Sequence, residues 1–141
     1  MTVPVVSATV AAVLIILQQS LMIAAGMHRT KVGISAGVGN DANLERKVRR
    51  HGNLAENAAL FVATLALAEL CDIPKPVVAG FGSIFILSRM LHVFGFSSLA
   101  GSHLAEGSKA FLVMRAIGAG GTFLTGIVLG VFLVFSLARA L

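Results

Sequence analysis

The side chains best equipped for chemistry are Arg46, Arg49, Asn53 and Glu56, then Arg89 and His92, then Arg115. At about 100° per residue the first four fall on one polar stripe of a helix. Arg89, His92 and Phe96 share a face of a later helix by the same arithmetic, and Arg115 stands a turn or two into the last one. All lie in or beside long apolar segments, where a charged side chain costs about 2.5–3.5 kcal/mol on insertion scales. Each therefore needs a partner or a task. Glu56 can neutralise Arg89 or Arg115 as a purely structural partner, or the stripe can face a cavity. His92 has no second histidine at metal-ligand spacing on its helix, so no metal centre is expected.

The elements that must position these residues follow from composition. Of 141 residues 57% are hydrophobic and only 12% charged, with a mean hydropathy of +0.92. A soluble domain is about 45–50% apolar and about 25% charged, so most of this surface avoids water. The net charge is +5. Its basic residues crowd between apolar segments, which points to a membrane surface and not to nucleic acid. One cysteine, Cys71, excludes an internal disulfide framework.

Four apolar segments can be drawn, at about residues 3–28, 43–71, 77–97 and 109–138, giving one domain over 1–141. The first has no basic residue before Val3, so it reads as a retained transmembrane helix and not a cleaved signal. Asp41 or Asn43 can cap the second, and Asp72-Ile73-Pro74-Lys75-Pro76 is a tight turn that stops it. Short connections make neighbours antiparallel, so the expected fold is an all-α integral membrane protein, an up-down-up-down four-helix bundle. Arg29, Lys31, Arg46, Lys47, Arg49 and Arg50 flank the first loop and Lys109 lies on the same side, against Lys75 and Arg139 on the other. By the positive-inside rule the first loop faces the cytoplasm and both termini the opposite side.

Other polar residues have plainer readings. Lys47 and Arg50 can snorkel to anionic headgroups. Glu69, near a helix end, reaches the far interface; His28 and His103 are solvated loop residues, and His51, off the polar stripe, is structural or interfacial. Gln18 and Gln19 bond a neighbouring helix, and Gly126 and Gly130 mark close helix packing. Cys71 has no basic neighbour except across the turn, so an inert thiol is expected.

The run Leu44-Glu45-Arg46-Lys47-Val48-Arg49-Arg50-His51-Gly52-Asn53-Leu54-Ala55-Glu56 resembles the MAPEG family, the membrane-associated proteins in eicosanoid and glutathione metabolism, in its bacterial-type members. The specific core is Arg-x-x-x-Asn-x-x-Glu at Arg49, Asn53 and Glu56. Arg89-x-x-His92 and Arg115 look like later signature positions in the right order, so the resemblance covers nearly the whole chain. It implies a homotrimer with glutathione held between subunits near the cytoplasmic face. Arg49, Asn53, Glu56 and His92, with Arg46 and Arg89, would bind glutathione, and Arg115 would sit beside its sulfur.

The chemistry agrees with that implication. Glutathione carries two carboxylates and an ammonium, which call for basic groups and an acid such as Glu56. The thiolate is the nucleophile, and an arginine in a poorly solvated site favours it. The implied activity is a membrane glutathione transferase or peroxidase acting on hydrophobic electrophiles or hydroperoxides that arrive through membrane lipid. The chain has no Tyr; Phe96 and Ala119 stand where some relatives carry tyrosine, Gly52 replaces a basic residue, and Leu60 lies near a frequent proline. Thiolate activation then falls to Arg115. Two other classes compete: a non-catalytic family member that binds lipid or a partner, and a small multidrug transporter. The latter usually has an acidic residue in its first helix, which this chain lacks, and aromatic residues for cations, whereas Trp and Tyr are absent here.

Overall fold

The computed structural model describes residues 3–101 and 108–139; His103, read above as a solvated loop residue, lies outside them. Four long helices form: α1 (Val5–Val32), α2 (Ala42–Leu70), α3 (Lys75–Gly95) and α4 (Lys109–Ala138), with a 3-10 turn, η1 (Leu99–Gly101), between the last two. At about 1.5 Å per residue each can cross a hydrocarbon core of about 30 Å. All four are apolar enough to do so.

Local chemistry sets the ends. α1 runs past His28 to Val32 and stops at Gly33, whose φ of 69° is left-handed. Asp41 caps α2, its Oδ1 accepting from Leu44 N at 2.8 Å, so of the two candidate caps the aspartate is used. That N–H and the His28 ring hold the Asp41 carboxyl below the usual carboxylate range. Because the shift is downward, its contribution is complete above the unfolded pKa and fades as pH falls through the folded one. α2 ends when Asp72 turns left-handed at φ 59°, letting Ile73 N donate back to Ala68 O at 3.2 Å. The prolines that follow start a helix instead of prolonging the turn. Pro74 is the N-cap of α3 and Pro76 sits in its first turn, where a missing N–H costs nothing.

The packing is antiparallel between neighbours. Glu69 at the end of α2 meets Val6 and Ser7 at the start of α1, Arg46 near the start of α2 meets the end of α3, and Gly95 at the end of α3 meets α4 at Phe111 and Arg115. The ends of α1 and α3 and the starts of α2 and α4 therefore gather at one pole, which carries Arg29, Lys31, Arg46, Lys47, Arg49, Arg50 and Arg115. A core of Leu14, Leu54, Phe61, Leu65, Phe85 and Leu129 fills the interior, with Phe61 and Phe85 stacked at 3.7 Å between centroids. Outward faces stay apolar, as at Ile16, Leu87, Phe123 and Val134. That is the pattern of helices bathed in lipid.

Two expectations need correction. Glu69 does not reach an interface. It is 3% exposed and accepts from Val6 N at 3.0 Å, Ser7 N at 2.8 Å and Ser7 Oγ at 2.7 Å. It caps α1, whose own first turn has no side-chain cap, and the helix dipole favours the negative charge there. His28 is likewise no solvated loop residue. It lies on α1, half-buried, with Nε2 at 2.9 Å from Asp41 Oδ2 and Nδ1 at 3.0 Å from Lys47 Nζ. An ammonium only donates, so Nδ1 accepts and Nε2–H donates to the carboxylate. Glu69→Ala should destabilise the fold by about 1–3 kcal/mol, because three donors lose their acceptor in a buried setting. Thermal unfolding in detergent reads this, and an unchanged midpoint would remove Glu69 as the α1 cap.

Candidate functional site

The basic pole is built around α3 and α4, the most extensive helix pair. Two glycines make the approach possible. A Cβ at Gly118 would run into His92 N and Ser88 O, and one at Gly95 into Arg115 N and Phe111 O. Each helix thus offers a bare backbone where the other crosses. The crossing brings His92 and Arg115 to one end of the same interface.

Arg89 is the centre of the arrangement and is 1% exposed. Its guanidinium donates to Asn53 Oδ1 at 2.8 Å and to Thr122 Oγ1 at 3.1 Å, linking α2, α3 and α4. It also lies 3.3 Å from His92 Nδ1. Arginine has no acceptor, so these contacts fix what its neighbours present. The Asn53 oxygen faces Arg89 and its NH2 is turned away. His92 must accept at Nδ1, which puts its proton on Nε2. Both residues are held as donors.

Glu56 is exposed and has no ion-pair partner among the described residues, where the pairs are Arg49 with Glu45 and His28 with Asp41. The structural pairing of Glu56 with Arg89 or Arg115 is therefore not made. Arg89 uses the Asn53 amide and the Thr122 hydroxyl instead. Thr122 was not singled out in the sequence. Its position seven residues after Arg115, on the same side of α4, was the available signal.

Arg46 is pulled inward, 7% exposed. It donates to Phe96 O at 3.0 Å and to Ser97 O, closing the carbonyl end of α3. A cation at that end also opposes the negative pole of the helix. Arg49 is exposed and bonds Glu45 Oε1 at 2.9 Å. Arg115 is half-buried; its guanidinium carbon lies 4.1 Å above the centroid of the Phe96 ring, and NH1 donates to Gly101 O at 2.9 Å. The ring face is the negative end of its quadrupole and steadies the cation. His92 meets Phe96 edge-on at 6.1 Å.

The structure thus joins Asn53, Arg89 and His92 through direct contacts, and Arg46, His92 and Arg115 through Phe96. Arg49 and Glu56 stand on the exposed side of the α2 stripe. An apolar cleft of about 350 Å³ begins at Glu56 and runs between α2 and α4 past Leu60, Phe61, Phe85 and Phe123. Gly126 and Gly130 also line it, and neither has an atom within 4 Å of where a Cβ would stand. They therefore leave open space within the subunit, while Gly95 and Gly118 make the close contacts of the α3–α4 crossing.

A family model for MAPEG matches residues 7–135. The chain belongs to the MAPEG family. No individually curated protein matches it. Membership and four apolar helices make it an integral multi-pass membrane protein of glutathione-related or eicosanoid metabolism. In this MAPEG protein the shared basic pole combines cations, an unpaired carboxylate and oriented donors, which suits an anionic ligand that also carries an ammonium.

Proposed function

We propose that this protein is a membrane glutathione transferase that also suits glutathione-dependent peroxide reduction. The observation carrying this reading is a group of arginines, Arg46, Arg89 and Arg115, gathered around His92 with no carboxylate paired to any of them among the described residues. An anion completes such a site. Asn53 and His92, turned into donors by Arg89, and the exposed Arg49 bind its carboxylates, while Glu56 takes the ammonium. Arg46 and Arg89 position these groups from behind.

Arg115 stands beside the sulfur, its charge favouring thiolate over thiol. The thiolate attacks an electrophilic carbon, a carbon–sulfur bond forms, and the leaving group departs with the bonding electrons. With a hydroperoxide the sulfur attacks oxygen, and a second glutathione completes reduction to alcohol, water and disulfide. The apolar cleft beside Glu56 offers a hydrophobic acceptor a route from the bilayer. The basic pole faces the cytoplasm by the positive-inside rule, and the subunit works as a homotrimer in which neighbours close the site.

Glu56→Gln tests the binding half. It keeps size and removes charge, so glutathione affinity should fall about tenfold, equivalent to about 1.4 kcal/mol. Calorimetric titration in detergent gives the answer, and equal affinity for both proteins refutes an ammonium contact.

A further inference from the structure

Helix α2 carries two buried guanidinium N–H groups without an acceptor among the described residues: Nε of Arg46 and Nε of Arg50. The residues are four apart, so their side chains lie one above the other on the same face, and like charges so placed repel. Arg46 cannot swing away, because its NH1 is held by Phe96 O. Arg50 is half-buried, its Nε covered and without an acceptor among the described residues. Buried donors are almost always satisfied. Neither residue belongs to the ion pairs formed among the described residues.

The missing partner is thus a negatively charged acceptor within reach of two arginines one helical turn apart. A planar fork of donors fits a carboxylate or a phosphate oxygen pair better than any other common group. We propose that Arg50, with Arg46, forms an oxyanion subsite on the buried side of the α2 stripe, taking a carboxylate or phosphate group. Arg50 plays no part in the site described above, and the subsite stands whether or not glutathione is the thiol. Two molecules bring this chemistry to the basic pole: a peptide thiol through one carboxylate, and an anionic phospholipid through its phosphate.

The test uses the full chain in phosphatidylcholine nanodiscs, with inorganic sulfate as the probe. Thermal unfolding is compared in sulfate and in chloride at matched ionic strength, with Arg139→Gln at the opposite end of the bundle as the control for general salt effects. Wild type and Arg139→Gln should show the same sulfate stabilisation, and Arg50→Gln should lose most of it. Arg50→Lys keeps the charge without the fork and should retain only part, which preserves the test if the glutamine variant does not fold. Two further arms separate the sources. If the ligand is the peptide thiol, Arg50→Gln weakens glutathione about tenfold and leaves γ-glutamylcysteine, which lacks the glycine carboxylate, unchanged. If it is lipid, native mass spectrometry shows phosphatidylglycerol retained by wild type and lost from Arg50→Gln. A sulfate shift equal in wild type, Arg50→Gln and Arg50→Lys overturns the subsite; absence of glutathione binding by wild type counts against the transferase reading alone.

Discussion

Arg115→Ala should reduce glutathione conjugation of an aryl halide by about 100-fold or more, the usual scale for removing one preorganised charge stabiliser. Glutathione affinity should change by no more than a few fold. The split follows from where the residue stands. Arg49, Asn53, Glu56 and His92 are proposed to hold the peptide, whereas Arg115 is proposed to meet the sulfur alone. With no tyrosine in the chain, no other hydroxyl of that kind can share the work. Each pKa unit by which the bound thiol is lowered represents about 1.4 kcal/mol.

Arg115 also has a structural duty, because it bonds Gly101 O and lies over Phe96. Arg115→Lys keeps charge near the sulfur but loses the fork, so it should recover part of kcat. A purely structural residue would show the opposite pattern, with KM and thermal stability moving together and lysine giving no rescue of turnover. Unchanged turnover in the alanine variant removes Arg115 from the mechanism.

Gly118→Ala should be among the most destabilising single methyl additions in the four-helix bundle. The new carbon meets His92 N, His92 Cα and Ser88 O, and backbone atoms inside a helix cannot rotate aside as a side-chain tip can. α3 and α4 must separate, at a cost of about 1–3 kcal/mol or more. The same displacement moves His92 away from Arg115. Gly126→Ala is the matched control, since its Cβ meets nothing within 4 Å. Thermal unfolding should therefore show a large loss at 118 and little change at 126. Equal midpoints would mean that the α3–α4 contact is looser than described.

The contrast between these two glycines also shows what the sequence made legible. Apolar segment lengths led directly to four helices, and charge clustering to a basic pole, because both are properties of single segments. Spacing along one helix puts Arg49, Asn53 and Glu56 on one polar stripe. Gly118 and Gly126 look alike in sequence; only the crossing with α3 makes one a contact and the other an open floor. Glu69 differs from its sequence reading for the same reason. Its acceptors' partners, Val6 N and Ser7, lie 63 and 62 residues away, and nothing in the local period of α2 points to them.

Arg89 and Arg46 carry the same lesson further. Periodicity put both on polar faces but could not show that one joins three helices while the other closes the end of α3. His28 reads in the sequence as a solvated loop residue, yet α1 continues to its left-handed glycine and the ring becomes the link between Lys47 and Asp41. Pro74 and Pro76 read in the sequence as stops, although proline at the first turn is equally a start. In each case the residue type was informative and the missing term was a partner from another helix.

The basic pole is proposed to bind glutathione and stabilise its thiolate. Ultraviolet difference absorbance on mixing the purified protein with glutathione at neutral pH tests it most directly, with Arg115→Ala measured alongside. A thiolate band is expected in the wild type and absent in the variant. No band in the wild type, or one of equal height in both proteins, would contradict it.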